Sequence, residues 1–196
     1  MRHIPWFYGS TSLAIALALT ACNAPTQLAP TSSKEAFVDS VLATMSIEDK
    51  AGEMTQLTLA MVCVGTPSAL EEPHRLDTAK LHQVLVDLKV GSILNCGGHA
   101  HGPEQWHDLI GGIQEAAAKK STSIPVLYGI DAIHGATYTS GSVLGPQQIG
   151  LAATWDTALV RKFAENAAME VTASGIPWNF SPVLDVARDA RWPRFW

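Results

Sequence analysis

Apolar residues recur at helical spacing in five stretches of the chain, with short apolar runs between them. Phe37, Val38, Val41, Leu42 and Met45 form the first stripe, entered through a Ser32-x-x-Glu35 capping box. Ser46-x-x-Asp49 opens a second helix, whose inward face carries Ile47, Ala51, Met54 and Leu57. Residues 58–75 are mixed and contain proline, and read as a connection. A third helix starts near Asp77 with Leu81, Val84, Leu85 and Leu88 on one face. Gly102-Pro103-Glu104 opens a fourth, lined by Trp106, Leu109, Ile110 and Ile113, and Lys119-Lys120 suit the negative end of its dipole. Asp156 caps a fifth, with Leu159, Val160, Phe163, Ala167 and Val171 inside and Gly175 as its stop. Residues 92–95, 124–130 and 178–185 read as strands, and 132–153 as a long loop.

Strands alternating with helices of this length predict βαβ units, hence an α/β fold with a parallel sheet. Each strand ends in polar residues: Asn95-Cys-Gly-Gly-His99, Asp131-x-x-His134 and Asp185-x-x-Arg188. Parallel α/β folds build their sites at those ends, and the pattern suits a (β/α)8 barrel. A doubly wound sheet fits the element order as well. No G-x-G-x-x-G or G-x-x-x-x-G-K-[ST] follows a strand, which removes the usual phosphate cradle.

Composition narrows the class. Apolar residues make up 47% of the 196 and charged residues 16%, which excludes a disordered chain. The net charge of −5, spread along the chain, argues against nucleic acid, which needs a clustered basic face. Arg2 and the apolar run Leu13–Leu19, followed by Leu19-Thr20-Ala21-Cys22, resemble a bacterial lipoprotein signal. That resemblance implies cleavage before Cys22, acylation of Cys22, and a domain held to a membrane by its lipid chains alone, in the periplasm or at the outer membrane. Residues 1–21 are then the signal, 22–35 a Pro/Ser/Thr-rich tether and 36–196 the folded portion. Cys63 and Cys96 sit in apolar runs and read as buried free thiols, with a disulfide as the alternative. The chain stops at Arg191-Trp-Pro-Arg-Phe-Trp196, with no helix or polar tail, and reads as part of a longer protein.

Three groups are candidates for chemistry. Asp131 stands where a strand leaves the sheet and can accept two charge-assisted hydrogen bonds from vicinal hydroxyls, as on a sugar ring; Gly129 and Gly135 near it would let backbone approach a ligand. The run Arg188-Asp-Ala-Arg-Trp-Pro-Arg194 combines forked cations with aromatic surface. Arg188 and Arg191 read as partners of Asp185 or Asp189. His99-Ala-His101, with His107 further on, invites a metal reading, but no carboxylate at ligand spacing accompanies it, so a solvated loop or a substrate rim is preferred and no metal or cofactor is expected. No G-x-S-x-G occurs, so a serine-hydrolase elbow is absent.

Several motifs in register carry a resemblance. Ser46-Ile-Glu-Asp-Lys-Ala-Gly-Glu-Met-Thr-Gln56, Gly129-Ile-Asp-Ala-Ile-His-Gly135, Pro146-Gln-Gln-Ile-Gly-Leu-Ala-Ala-Thr154, Phe180-Ser-Pro-Val-Leu-Asp185 and Arg188-Asp-Ala-Arg-Trp-Pro-Arg194 together resemble glycoside hydrolase family 3, in its branch of exported bacterial β-glucosidases. The resemblance implies the N-terminal part of a (β/α)8 TIM-type barrel, incomplete after about three strands, and retaining hydrolysis of β-glucoside oligosaccharides. Retention needs two carboxyl groups about 5–5.5 Å apart. The family places both in segments that would follow residue 196. Asp131 matches the family's hydroxyl-binding Asp, and Arg194 its sugar-contacting Arg. Ser181-Pro182 matches a position where the family can carry a cis peptide. Pro193 stands where a Gly is common. The resemblance thus gives this chain part of a glucose subsite and no catalytic residue. A non-catalytic carbohydrate-binding lipoprotein and a metal-dependent barrel hydrolase using His99 and His101 are the alternatives.

Overall fold

The computed structural model describes residues 33–186 and 188–194. The expected signal, Cys22, the cap at Ser32 and most of the tether lie outside the described residues. Two units are distinguished, divided after Ala43. Helix α1 (Ser33–Thr44), with Glu35 in its first turn, belongs to the first except for its last residue.

The second unit is built on four parallel strands, β1 (Gln56–Thr58), β4 (Ser92–Leu94), β5 (Leu127–Ile130) and β6 (Trp178–Asn179), in the order β1-β4-β5-β6. Each new parallel strand is added beside the last, as in a singly wound barrel wall. Leu57 pairs with Ile93, Ile93 with Tyr128, and Ile130 with Asn179. Between β1 and β4 come a 3-10 turn (Leu59–Val62), the hairpin β2 (Gly65–Thr66) and β3 (Ala69–Leu70), and a helical segment. Helix α4 (Pro103–Ala117) links β4 to β5, and α5 (Gln148–Ala152) and α6 (Thr157–Ala173) link β5 to β6. The sheet does not close among the described residues. The fold is α/β, the incomplete N-terminal part of a TIM-type barrel. The core between sheet and helices is made of Leu59, Val62, Leu85, Ile93, Trp106, Ile113, Tyr128 and Ile130. Among the described residues no helix is long and apolar enough to cross a membrane.

Helix α4 follows the expected pattern closely, whereas α6 has the expected ends but only part of the expected buried stripe. Pro103 occupies the first turn of α4, and Trp106, Leu109, Ile110 and Ile113 are buried. Asp156 caps α6 through Leu159 N–H, and Gly175 turns the chain at φ +76° after its end. Only Ala167 and Val171 of the expected α6 stripe are buried, and Leu159 is exposed.

Other elements correct the sequence reading. Helix α2 (Ile47–Glu53) has the expected box: Ser46 Oγ accepts from Asp49 N–H at 3.1 Å, and Asp49 Oδ2 from Ser46 N–H at 2.8 Å. Its inward face, however, carries Asp49 and Gly52, while Ile47 and Met54 are exposed. Gly52 lies against the 88–89 backbone, where a Cβ would stand 2.4 Å from Leu88 O. Only that face can come so close, and the apolar residues are turned away. Leu57 belongs to β1, which makes the parallel strands four and not three. Three residues between a helix end and a 3-10 turn are too few to show alternation.

The third helix starts as expected, with Asp77 capping α3 (Thr78–Leu81), but continues as a π-helix over His82–Asp87. The wider turn rotates Leu88 out of the stripe, and it is exposed while Leu81, Val84 and Leu85 are buried. Strand β5 begins at Leu127 because the helix side chain of Gln114 takes both backbone groups of Val126, at 2.7 and 3.1 Å. β6 ends at Asn179: Phe180 N–H still reaches Ile130 O at 2.9 Å, and Pro182 then brings no N–H.

Candidate functional site

The C-terminal edge of the sheet gathers Asn95, Asp131 and Asn179 from three neighbouring strands. Asn95 has a left-handed backbone (φ +51°), which turns its side chain along the edge. Its Nδ2 donates to Asp131 Oδ2 at 2.7 Å, and its Oδ1 accepts Asp131 N–H at 2.8 Å. Tyr128, wholly buried, donates its hydroxyl to Asn95 O at 2.6 Å, so the turn is tied from below. Asn179 plays the same part for Ala132, accepting its N–H at 3.1 Å and donating to its carbonyl at 3.4 Å. Asp131 is half-buried and its carboxylate has one oxygen aligned by an amide. A carboxylate accepts about four hydrogen bonds, so the group has capacity for the vicinal hydroxyls of a ligand. Tyr138 stands close by: burial first, then the Asp131 charge, pushes its phenol pKa up.

Gly129 does not face a ligand as the sequence suggested. A Cβ there would lie 2.4 Å from the Phe180 ring and 2.9 Å from Trp178. These two rings pack edge-to-face at a centroid distance of 4.5 Å. Its missing side chain is what lets them lie under the edge.

The loop after β4 pairs with the loop after β5. His101 N–H donates to Tyr138 O at 3.0 Å, Ser140 N–H to His101 O at 2.8 Å, and Trp106 Nε1 to Tyr138 O at 3.0 Å. His101 is therefore not in a solvated loop; it is fully buried. Its ring meets Trp106 edge-on at 5.0 Å and His74 at 4.9 Å. His74 Nδ1 and His101 Nε2 are 3.1 Å apart. Cys96 donates its thiol to His99 O at 2.7 Å, and His99 Nδ1 lies 3.2 Å from Glu72 Oε2. Burial lowers the His74 pKa and takes that of His101 down to about 4, so both rings are neutral near pH 7. Burial likewise pushes the Cys96 and Cys63 thiols up to about 11, and both cysteines are free, as expected. His74 and Glu72 lie in what the sequence showed only as a connection, and no signal there foretold their place beside His99 and His101. His107 is elsewhere, with Nε2 3.0 Å from Ala173 O at the end of α6.

The segment after β6 carries the other candidates. The Ser181-Pro182 peptide is cis, as the resemblance implies. Arg191 is paired with Asp189, its Nε 3.0 and 3.1 Å from the two carboxylate oxygens. Arg188 and Arg194 are exposed. Arg194 thus follows the strand beside the one that ends at Asp131.

A parallel α/β layout with polar side chains gathered at the C-terminal strand edge is where folds of this class build their sites. Comparison with known proteins makes this particular. The model of the glycosyl hydrolase family 3 N terminal domain matches residues 46–195, and the chain belongs to that family. A lysosomal beta glucosidase of Dictyostelium discoideum is 33% identical over 174 residues, 84% of this chain and 20% of the relative. A periplasmic beta-glucosidase of Salmonella typhimurium is 25% identical over 83% of this chain and 18% of its own length. The solved structure of an exo-1,3/1,4-beta-glucanase from a Pseudoalteromonas species superposes with a TM-score of 0.65 at 30% identity, covering 81% of this chain and 24% of that one. A beta-glucosidase from Listeria innocua, solved with isofagomine, gives 0.56 at 30% identity, over 81% and 19%. The chain spans about a fifth to a quarter of the length of these proteins.

Proposed function

We propose that residues 36–196 are the N-terminal portion of the barrel of a retaining β-glucosidase that releases terminal β-D-glucosyl residues from oligosaccharides, and that this portion supplies part of the glucose subsite. The observation that carries the reading is the Asn95–Asp131 pair: a carboxylate held by an amide at a strand end, aimed by backbone and side chain together. Asp131 accepts hydroxyls of the sugar, and Arg194 donates to it from the neighbouring strand's loop. No cofactor is required by glycoside hydrolysis of this kind, which runs on two carboxyl groups. The family resemblance assigns nucleophile and acid/base to segments that would follow residue 196. Residues 22–196 alone are accordingly expected to turn over no aryl β-glucoside, and clear turnover by that segment would overturn the assignment. In a protein containing this segment and its continuation, Asp131→Ala should lower kcat/KM for an aryl β-glucoside by about 100-fold or more, the worth of two charge-assisted hydrogen bonds. An unchanged kcat/KM would remove Asp131 from the subsite.

The enzyme is proposed to be exported and held to a membrane by lipid on Cys22, in the periplasm or at the outer membrane. The Leu19-Thr20-Ala21-Cys22 motif and the periplasmic designation of the Salmonella relative support this. Radiolabelled palmitate should enter the protein in a bacterial host, and Cys22→Ser should abolish the label. Labelling that survives the substitution rejects the anchor.

A further inference from the structure

We propose that His74, Cys96 and His101 form a buried binding site for a zinc ion, with His99 as the fourth ligand. One donor atom from each of the first three lies within 4.8 Å of the others. All three side chains are buried, His101 completely. Zinc bonds of about 2.0–2.1 Å to nitrogen and about 2.3 Å to sulfur put the donor atoms of a tetrahedral site about 3.3–3.6 Å apart. His74 Nδ1 and His101 Nε2 already stand 3.1 Å apart, and the widest gap needs to shrink by only about 1 Å. Imidazole nitrogen with thiolate sulfur is the donor set of a borderline-soft ion such as zinc, whereas magnesium and calcium take oxygen.

His99 completes the set from the same loop, in the order Cys96-x-x-His99-x-His101. Its ring lies 5.1 Å from that of His101 and 5.5 Å from that of His74. Glu72 holds its Nδ1 at 3.2 Å, which leaves Nε2 as the atom to offer a metal. A carboxylate behind a histidine is the usual outer partner of a metal-bound imidazole, fixing its tautomer and raising its basicity. Two further features fit. His101 Nδ1 is buried without a hydrogen-bond partner, a sign that the ring is not placed for hydrogen bonding alone. A cleft lined by Pro73, His74, Gln105 and Asp108 leads to His74 and gives an ion a way in.

Binding involves no oxidation. The Cys96 S–H bond breaks, its proton goes to solvent, and the S–Zn bond forms in place of the thiol's hydrogen bond to His99 O. The single proton between His74 Nδ1 and His101 Nε2 moves to the far nitrogen of its ring, freeing both lone pairs. The ion then ties the segment around His74 to the loop after β4, next to Asn95. This assignment does not depend on the proposed glycosidase activity, and its test does not read activity.

The test uses the full chain, reduced, stripped with a chelator and checked for folding by far-ultraviolet circular dichroism. Titration with Co²⁺ should show one equivalent bound with release of one proton, a thiolate-to-cobalt charge-transfer band and the intense visible bands of tetrahedral cobalt; Zn²⁺ should then displace the cobalt and abolish the bands without further proton release. Cys96→Ser should remove the charge-transfer band and Cys63→Ser should keep it. His74→Ala should weaken binding at least as much as Glu72→Gln, for which about 10–100-fold is expected. A folded chain that binds neither ion overturns the proposal, as does a charge-transfer band that survives Cys96→Ser. Should Cys96→Ser not fold, Glu72→Gln decides: its side chain is largely exposed, and unchanged affinity rejects the His99–Glu72 arrangement. Should the stripped chain not fold, zinc in the untreated protein decides, near one equivalent for the proposal and near zero against it.

Discussion

The amide of Asn95 offers one donor group and one acceptor, and Asp131 takes both. The donor aligns a carboxylate oxygen at 2.7 Å and the acceptor satisfies the backbone N–H of the same residue at 2.8 Å. Asn95→Ala removes both at once, at a backbone position with φ +51° that alanine adopts less readily than asparagine. Urea unfolding of the full chain should show a loss of about 1–3 kcal/mol, the cost of stranding hydrogen-bonding groups. Cellobiose affinity, measured by calorimetry on a protein that binds it, should fall about tenfold as the Asp131 carboxylate loses its fixed direction. A variant with unaltered affinity would mean that Asp131 needs no such guide. Asn95 was visible in the sequence as one of the polar residues at a strand end. Its partnership was not, because nothing local in Asn95-Cys-Gly-Gly shows that Asp131 will lie alongside it.

At the scale of elements, what was legible followed from patterns long enough to average out local exceptions. Helix α4 was readable from Pro103 to Ile113 because about three turns repeat one apolar stripe. Helix α2 is two turns long, and a single close approach at Gly52 overrode its stripe. Strand β1 was hidden in three residues, and the π-helix shifted one leucine out of an otherwise correct face. Lys120 shows the same limit in charge. Its place after α4 suited a helix dipole, yet it is buried, with Nζ 2.6 Å from Glu53 Oε1 and 3.5 Å from Val90 O. Thr122 also donates to that Glu53 oxygen, at 2.7 Å. The pair thus joins α2 to the turn before β5, across residues distant in sequence. Removing one member leaves the other charge buried and uncompensated, which costs about 3–5 kcal/mol. Lys120→Ala should therefore lower the melting temperature sharply, whereas the double change Lys120→Met with Glu53→Leu should recover much of the loss. A single variant that melts with the parent would show the pair to be idle.

Across the whole second unit, the strands are short, and the sheet is held in place by polar ties at its N-terminal end as well as by the core. Asp49 is the centre of one such tie. It closes the α2 capping box, meets Lys89 Nζ at 2.6 Å and accepts Ser121 Oγ at 2.9 Å, so one carboxylate joins α2, the turn before β4 and the turn before β5. The Lys89 ammonium first, then the Ser46 N–H and the Ser121 hydroxyl, hold its pKa well below the ordinary carboxylate range. A carboxylate whose pKa is lower folded than unfolded gives stability that is complete above the unfolded value, about 4, and is lost as pH falls below it. The full chain should therefore keep its melting temperature from neutral pH down to about 5 as far as this group is concerned, and lose stability steeply below about 4. Asp49→Asn, which keeps the shape but not the charge, should be less stable at neutral pH and lose less on acidification. The difference between the two proteins should shrink as pH falls, because the parent is then losing the very charge that the variant lacks. A difference that stays constant from pH 7 to pH 3 would mean that Asp49 acts through its cap geometry alone and that its charge contributes nothing to joining the three segments.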